Sequence, residues 1–312
     1  MGKRSVVLSI IVFLTLVVGA PYALYLYNDP ETLELDDAAR ASATGEFVRL
    51  SNGYTHYEIG GPETGRMVVL LAGFSVPYYI WDPTYKALTE AGFRVLRYDY
   101  YGRGYSDRPE VPYSVDLHIG QLNELLDKLK IAGPFDLAGL SFGGSVITTY
   151  AYRYPDRVRS LIYMDPGFRS PAPTLSFSGM PRVWGFFTAI FDEQNWPNDQ
   201  MTDFLHPERF PDWPKRYVTE VRYKGFRQAR LSEFVANANE DQTEEIARVG
   251  EHPRPVLVVW GKQDMTVPFE NSEWVMRRMM HGRLLAVDQA GHLPHMEQPD
   301  VVQPEIIAFL SQ

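Results

Sequence analysis

The chain has 312 residues, 45% of them apolar, a formal net charge of −9 and no cysteine. That length can bury a large core, the acidic balance argues against nucleic acid and against broad electrostatic docking on anionic lipid, and the lack of cysteine excludes disulfides and a thiolate nucleophile. No Cys/His cluster and no phosphate-cradling glycine loop occurs, so neither a metal nor a nucleotide cofactor is expected.

At the amino end Lys3-Arg4 precede Ser5 to Tyr27, a stretch without a charge and rich in Val, Leu and Ile. About twenty such residues span a bilayer as a helix, with Tyr22, Tyr25 and Tyr27 at the far interface. A cleaved secretory signal is the alternative, because Val18-Gly19-Ala20 resembles a cleavage site; Pro21 directly after it favours an uncleaved anchor. In both cases the basic start and the acidic run Asp29, Glu31, Glu34, Asp36 and Asp37 predict a membrane-anchored or secreted chain whose folded part is extracytoplasmic. Residues 1–27 are thus expected to be a signal anchor or signal peptide, and 28–45 a polar linker with a short helical piece.

Phe47 to Leu50 and Tyr54 to Ile59, separated by Asn52-Gly53, predict an antiparallel hairpin, since Asn-Gly supplies the positive φ angles of such a turn. Apolar runs and helical patterns then alternate: Val68 to Leu71, Trp81 to Glu90, Val95 to Tyr98, Val115 to Leu129, Phe135 to Leu140, Ser145 to Tyr154 and Val158 to Met164. This alternation predicts an α/β fold with a mostly parallel central sheet and helices on both faces. The pattern breaks after Pro166 and resumes at Pro255 with Val256 to Trp260, Glu270 to Met280, Leu284 to Val287 and Val301 to Leu310. Residues 46–167 and 251–312 therefore build the core, and 168–250 an inserted helical cap or lid.

Chemistry concentrates in Gly139-Leu140-Ser141-Phe142-Gly143-Gly144, between a predicted strand and a predicted helix. A serine at the tip of a sharp strand-to-helix turn has a strained backbone and close neighbours two residues away on either side, which is why glycine is needed there. The helix behind it points unpaired N–H groups and its positive dipole end at any oxyanion formed at the serine. Such a serine needs a base, and the base a carboxylate. Asp264 follows the apolar run ending at Trp260, and His292 follows the run Leu284 to Val287 and Gly291, giving the order Ser, Asp, His. His295 is the nearest rival base, while His56, His118, His206, His252 and His281 fall in segments better read as surface or structural.

Taken together, these blocks resemble a serine hydrolase of the α/β-hydrolase superfamily, esterase- or lipase-like, over about residues 45 to 310. Asp99-Tyr100-Tyr101-Gly102-Arg103-Gly104-Tyr105-Ser106 is similar to the family's D-x-x-G-x-G-x-S loop, Gly261 to Pro268 to its acid turn, and Gly291-His292 with Glu297 and Pro299 to its histidine loop. The resemblance implies catalysis by Ser141, Asp264 and His292, with the N–H groups of Phe142 and Phe74 as oxyanion hole. Ala72-Gly73-Phe74 stands where relatives carry His-Gly-x, so a possible imidazole brace for that loop is missing. In some relatives the acid follows the sixth strand; Asp165 sits there, next to Pro166, and reads better as a turn cap.

The cap interval holds Phe168, Phe177, Trp184, Phe186, Phe187, Phe191, Trp196, Phe204, Phe210 and Trp213. Most of these rings are expected to form the cap's own core, and some to face the cleft and bind an apolar acyl group. The resulting expectation is a carboxylic ester hydrolase, of the monoacylglycerol or short-chain lipase type, acting on a small-molecule or lipid ester through an acyl-enzyme, without cofactor or nucleic-acid partner. A carbon-carbon bond hydrolase or perhydrolase with the same triad, and a ligand-binding protein on a hydrolase scaffold, are the alternatives. A dehalogenase or epoxide hydrolase would carry aspartate at the elbow, where this chain has Ser141.

Overall fold

This computed structural model describes residues 13, 15–168, 181–237 and 241–312. Helices α1 (Ala20–Asn28) and α2 (Asp37–Ala41) come first, before the hairpin β1 (Glu46–Leu50) and β2 (Gly53–Gly60). Leu50 pairs with Gly53, so the hairpin turns on Ser51-Asn52, one residue earlier than expected, and Gly53 supplies the positive φ of +131°. Next come β3 (Met67–Leu71), α3 (Asp82–Glu90), β4 (Arg94–Tyr98), α4 (Val115–Lys128), β5 (Phe135–Leu140), α5 (Phe142–Arg153) and β6 (Val158–Met164). The inserted interval contains α6 (Pro181–Phe191), α7 (Trp196–Asp199), α8 (Trp213–Val221), α9 (Phe226–Asn237) and α10 (Thr243–Glu251). The core resumes with β7 (Val256–Gly261), α11 (Asn271–Met276), β8 (Gly282–Val287), α12 (Pro294–Glu297) and α13 (Pro299–Leu310).

The eight strands form one sheet in the order β1-β2-β4-β3-β5-β6-β7-β8, antiparallel at the hairpin end and parallel from β4 onward. Because side chains alternate along a strand, the apolar runs divide into two cores. Val68, Leu70, Ala138, Leu140, Ile162, Met164, Leu257 and Val259 face α3, α13 and much of the cap. Val69, Leu71, Leu137, Leu161, Tyr163, Val258 and Trp260 face α4, α5 and α10. Each buried aliphatic side chain contributes about 1.5–3 kcal/mol relative to exposure. This is the expected α/β-hydrolase fold with its inserted helical cap.

The membrane expectation is corrected. Among the described residues no helix is long and apolar enough to cross a membrane. Lys3-Arg4 and the first part of the uncharged stretch lie outside the described residues; its remainder is a π-helical turn, Thr15–Gly19, running into α1. α1 packs on α6: Tyr25 stacks on Phe186 at 5.2 Å, and Asn28 Nδ2 donates to the Ile190 carbonyl at 2.8 Å. The placement as a membrane-anchored or secreted protein, argued from that stretch, falls with it. The segment after α1 is also tied down. Asp29 and Glu31 pair with Arg227 of α9, Leu33 makes a parallel bridge to Tyr223, and Arg40 pairs with Asp107 of the core.

Candidate active site

β5 is buried along its whole length and delivers Ser141 into a strained conformation, φ 52° and ψ −120°, directly before α5. Such a conformation costs on the order of 1–3 kcal/mol and persists because its surroundings enforce it. Ser141 N–H donates to the Met164 carbonyl at 2.9 Å, and its carbonyl accepts from Gly144 N at 2.8 Å and Gly167 N at 2.9 Å. The flanking glycines are required by space. A Cβ on Gly139 would lie 2.3 Å from the Gly143 carbonyl oxygen, and one on Gly143 would lie 2.6 Å from the oxygens of Leu71 and Ala72.

Asp264 and His292 follow the carboxyl ends of β7 and β8, two and three strands along from β5. Both are buried, and they meet in a 2.7 Å hydrogen bond between His292 Nδ1 and Asp264 Oδ2. The other oxygen of Asp264 accepts from Thr266 N at 2.8 Å and Val267 N at 2.9 Å, which fixes the carboxylate plane. Burial opposes charge on His292, but the Asp264 hydrogen bond and negative charge outweigh it, so its pKa is raised. The histidine loop is held by Glu297, which accepts from Gly291 N at 2.6 Å and from His206 N of the cap interval at 2.9 Å. His292 N–H also donates to the Asp203 carbonyl at 2.8 Å.

Asp165, after β6, is fully buried between these two loops. Its Oδ1 accepts from Gly261 N at 2.8 Å, and one of its oxygens lies within 4.8 Å of an oxygen of Asp264 and a ring nitrogen of His292. That spacing could admit a cation, yet Asp264 has both oxygens committed to Thr266, Val267 and His292. Burial first, then the nearby Asp264 charge, push the Asp165 pKa well above the usual carboxyl range. A carboxyl so reluctant to ionise is a poor counter-charge for an imidazolium.

The loop after β3 lies against the elbow: a Cβ built on Gly73 would stand 3.4 Å from Ser141 Cβ. The rings of Phe74 and Phe142 meet edge-on with centroids 6.3 Å apart. In place of the missing imidazole brace, Arg103 donates from Nε at 2.9 Å and Nη2 at 2.7 Å to the Phe74 carbonyl. This use of the D-x-x-G-x-G-x-S loop was not legible in its sequence. Asp99 of the same loop accepts from Tyr78 N at 2.8 Å, from Tyr105 N at 3.0 Å and from His56 Nδ1 at 2.7 Å. Both His56 and His118 are buried against carboxylates. The rival His295 is a core residue: its Nε2 bonds the Ile80 carbonyl at 2.8 Å, and burial lowers its pKa to about 4.

Of the cap aromatics, Trp196, Phe204 and Trp213 are buried in the cap-facing core, whereas Phe187 and Phe191 are exposed; Phe177 lies outside the described residues. A cavity of about 180 Å³ opens between the loop after β3 and the cap, lined by Phe74, Trp184, Trp196, Leu231 and Phe234 with Thr188, Asp192 and Arg230. A second, of about 440 Å³, is lined by Gly167, Phe168, Val267 and Trp274.

A profile of the alpha/beta hydrolase family matches residues 68–304. The chain belongs to that family. It is 28% identical over 222 residues to the 2-hydroxymuconate semialdehyde hydrolase of Pseudomonas sp. strain CF600, covering 65% of this chain and 71% of that protein. It is 26% identical over 225 residues to Lipase 1 of Psychrobacter immobilis, covering 70% and 69%. The solved enol-lactonase from Burkholderia xenovorans LB400 superposes with a TM-score of 0.74 at 22% identity, over 86% of this chain and all of that one, a likeness of fold.

Proposed function

We propose that this hydrolase cleaves carboxylic esters with an apolar acyl group through an acyl-enzyme on Ser141. The observation that carries the reading is the buried 2.7 Å pair of His292 and Asp264 after β7 and β8, in the same sheet whose β5 ends in a strained serine elbow. In this mechanism His292 Nε2 takes the Ser141 proton as Oγ attacks the ester carbonyl, and Asp264 holds the imidazole in the tautomer that leaves Nε2 free to accept. The N–H groups of Phe142 and Phe74 hold the tetrahedral oxyanion. The protonated His292 then gives its proton to the departing alcohol, and a water activated by the same nitrogen releases the acid. The apolar walls that Phe74, Trp184, Leu231 and Phe234 give the cavity under the cap support an apolar acyl group.

Similarity to a semialdehyde hydrolase supports a second reading, hydrolysis of a carbon-carbon bond next to a ketone by the same three residues. A panel of nitrophenyl esters of increasing chain length, run beside a vinylogous diketone, separates the two by their kcat/KM. Ser141→Ala is expected to lower turnover roughly a million-fold. Ester hydrolysis near the wild-type rate in that variant, or failure of a fluorophosphonate to label Ser141, would overturn the mechanism and favour a binding role.

A further inference from the structure

Glu233, on cap helix α9, governs the geometry of the oxyanion hole without touching it, we infer, by holding Arg103 and His118 against the two residues that supply its donors. The inference rests on the serine-hydrolase reading above. Glu233, Arg103 and His118 come from the cap, the loop after β4 and α4, and none is more than 1% exposed. Arg103 Nη2 donates to one oxygen of Glu233, and His118 Nε2 meets the other at 2.6 Å. The same guanidinium grips the Phe74 carbonyl with two of its donors, while the His118 ring stands edge-on to the Phe142 ring at 5.6 Å. Phe142 and Phe74 touch in turn, so the contacts close into a circuit: Glu233, Arg103, Phe74, Phe142, His118 and back to Glu233.

A planar guanidinium fixes its acceptors in direction as well as distance. An Arg103 clamp on the Phe74 carbonyl therefore limits rotation of the peptides on which the Phe74 N–H depends. Arg103 itself is buried, and such a charge needs a partner. That partner belongs to the cap. Seating α9 thus completes the electrostatics that hold the loop, and lifting it leaves Arg103 without its counter-charge. Glu233 is a positioning residue in this arrangement, and it ties cap seating to transition-state stabilisation.

The test uses the full chain, with Glu233→Gln and the double variant Glu233→Gln/Arg103→Met, each verified as folded by circular dichroism. Kinetics on the best nitrophenyl ester are paired with inhibition by a trifluoromethyl ketone, whose adduct on Ser141 puts an oxyanion in the hole. Misplacing a donor costs less than the 100- to 1000-fold of removing one, so Glu233→Gln is expected to lower kcat about 30-fold, leave KM within about threefold and weaken the ketone in parallel with kcat. The double variant removes both buried charges. It is expected to regain thermal stability relative to Glu233→Gln while its kcat and ketone affinity stay low. Recovery of kcat and ketone affinity together with stability, or a Glu233→Gln enzyme within about threefold of wild type throughout, overturns the inference. Failure of the underlying reading is recorded separately: hydrolysis that survives Ser141→Ala removes the serine mechanism, whereas a Ser141-dependent enzyme indifferent to Glu233 removes only the positioning role.

Discussion

Replacing Asp264 by asparagine tests the acid with its surroundings intact. In the wild-type chain Oδ1 of Asp264 accepts two backbone N–H groups, from Thr266 and Val267. The asparagine carbonyl must take over that position, because an amide NH2 there would oppose two donors. The NH2 is thereby turned toward His292 Nδ1, now 2.7 Å from a donor where it had met an acceptor. The imidazole answers by moving its proton to Nε2, the nitrogen that should accept from Ser141. Shape and burial hardly change, but the base is held in the wrong tautomer and loses the negative charge that stabilised its imidazolium. A loss of about four powers of ten in kcat, about 5 kcal/mol, is expected. The assay is ester hydrolysis from pH 5 to 10, with the rate of fluorophosphonate labelling as a substrate-independent check. Asp165→Asn, measured alongside, should cost little, since Asp165 bonds Gly261 N and His292 Nδ1 bonds Asp264. A loss below tenfold for Asp264→Asn, or a larger loss for Asp165→Asn, would refute the assignment.

Two further outcomes concern protons. The Asp264 contact raises the His292 pKa, so kcat/KM should climb with pH through a midpoint above the ordinary imidazole value of about 6.5, and a midpoint at or below it would contradict the geometry. Glu220, on α8, is pushed up to about 7 from 4.5, first by burial and then by Asp99. The folded chain then binds this proton more tightly than the unfolded one, so the contribution to stability is greatest below pH 4.5, declines as pH rises to about 7, and is level above it. At about 1.4 kcal/mol per pH unit the decline is about 3 kcal/mol. Urea unfolding at pH 4.5 and pH 8 should show Glu220→Gln less pH-sensitive than wild type by that amount, and equal pH dependence would exclude the linkage.

The parts of this fold that could be read from sequence are those where a local constraint leaves one solution. β3, β5, β6 and β7 are apolar nearly throughout because both faces of a parallel sheet are covered, and Gly139 and Gly143 have carbonyl oxygens where a Cβ would go. The turn carrying Asp264 could be found because it follows such a strand, and the loop carrying His292 because it follows the short apolar run of the edge strand β8. What escaped is set by partners distant in sequence. Glu233 lies 130 residues from Arg103 and 115 from His118, and nothing near it distinguishes it from a surface glutamate. Uncharged residues such as Tyr25 have one composition whether they meet lipid or, as here, Phe186. The short α11 ends at Met276, four residues before the apolar pattern does, where the chain must turn back into β8.

The segment between α1 and the hairpin fastens the cap to the core. An insertion hung from its two ends swings about them like a flap. This one carries a third tether: Asp29 and Glu31 grip Arg227, the backbone of Leu33 is laced to Arg222 and Lys224, and a few residues later Arg40 is moored to Asp107 in the loop after β4. Raising the cap must draw taut the chain from Glu34 to Asp37 or break the mooring at Asp107. A short leash that precedes the cap thus fastens it to the core, and shortening the chain to begin at Leu35 would sever that leash at the cap.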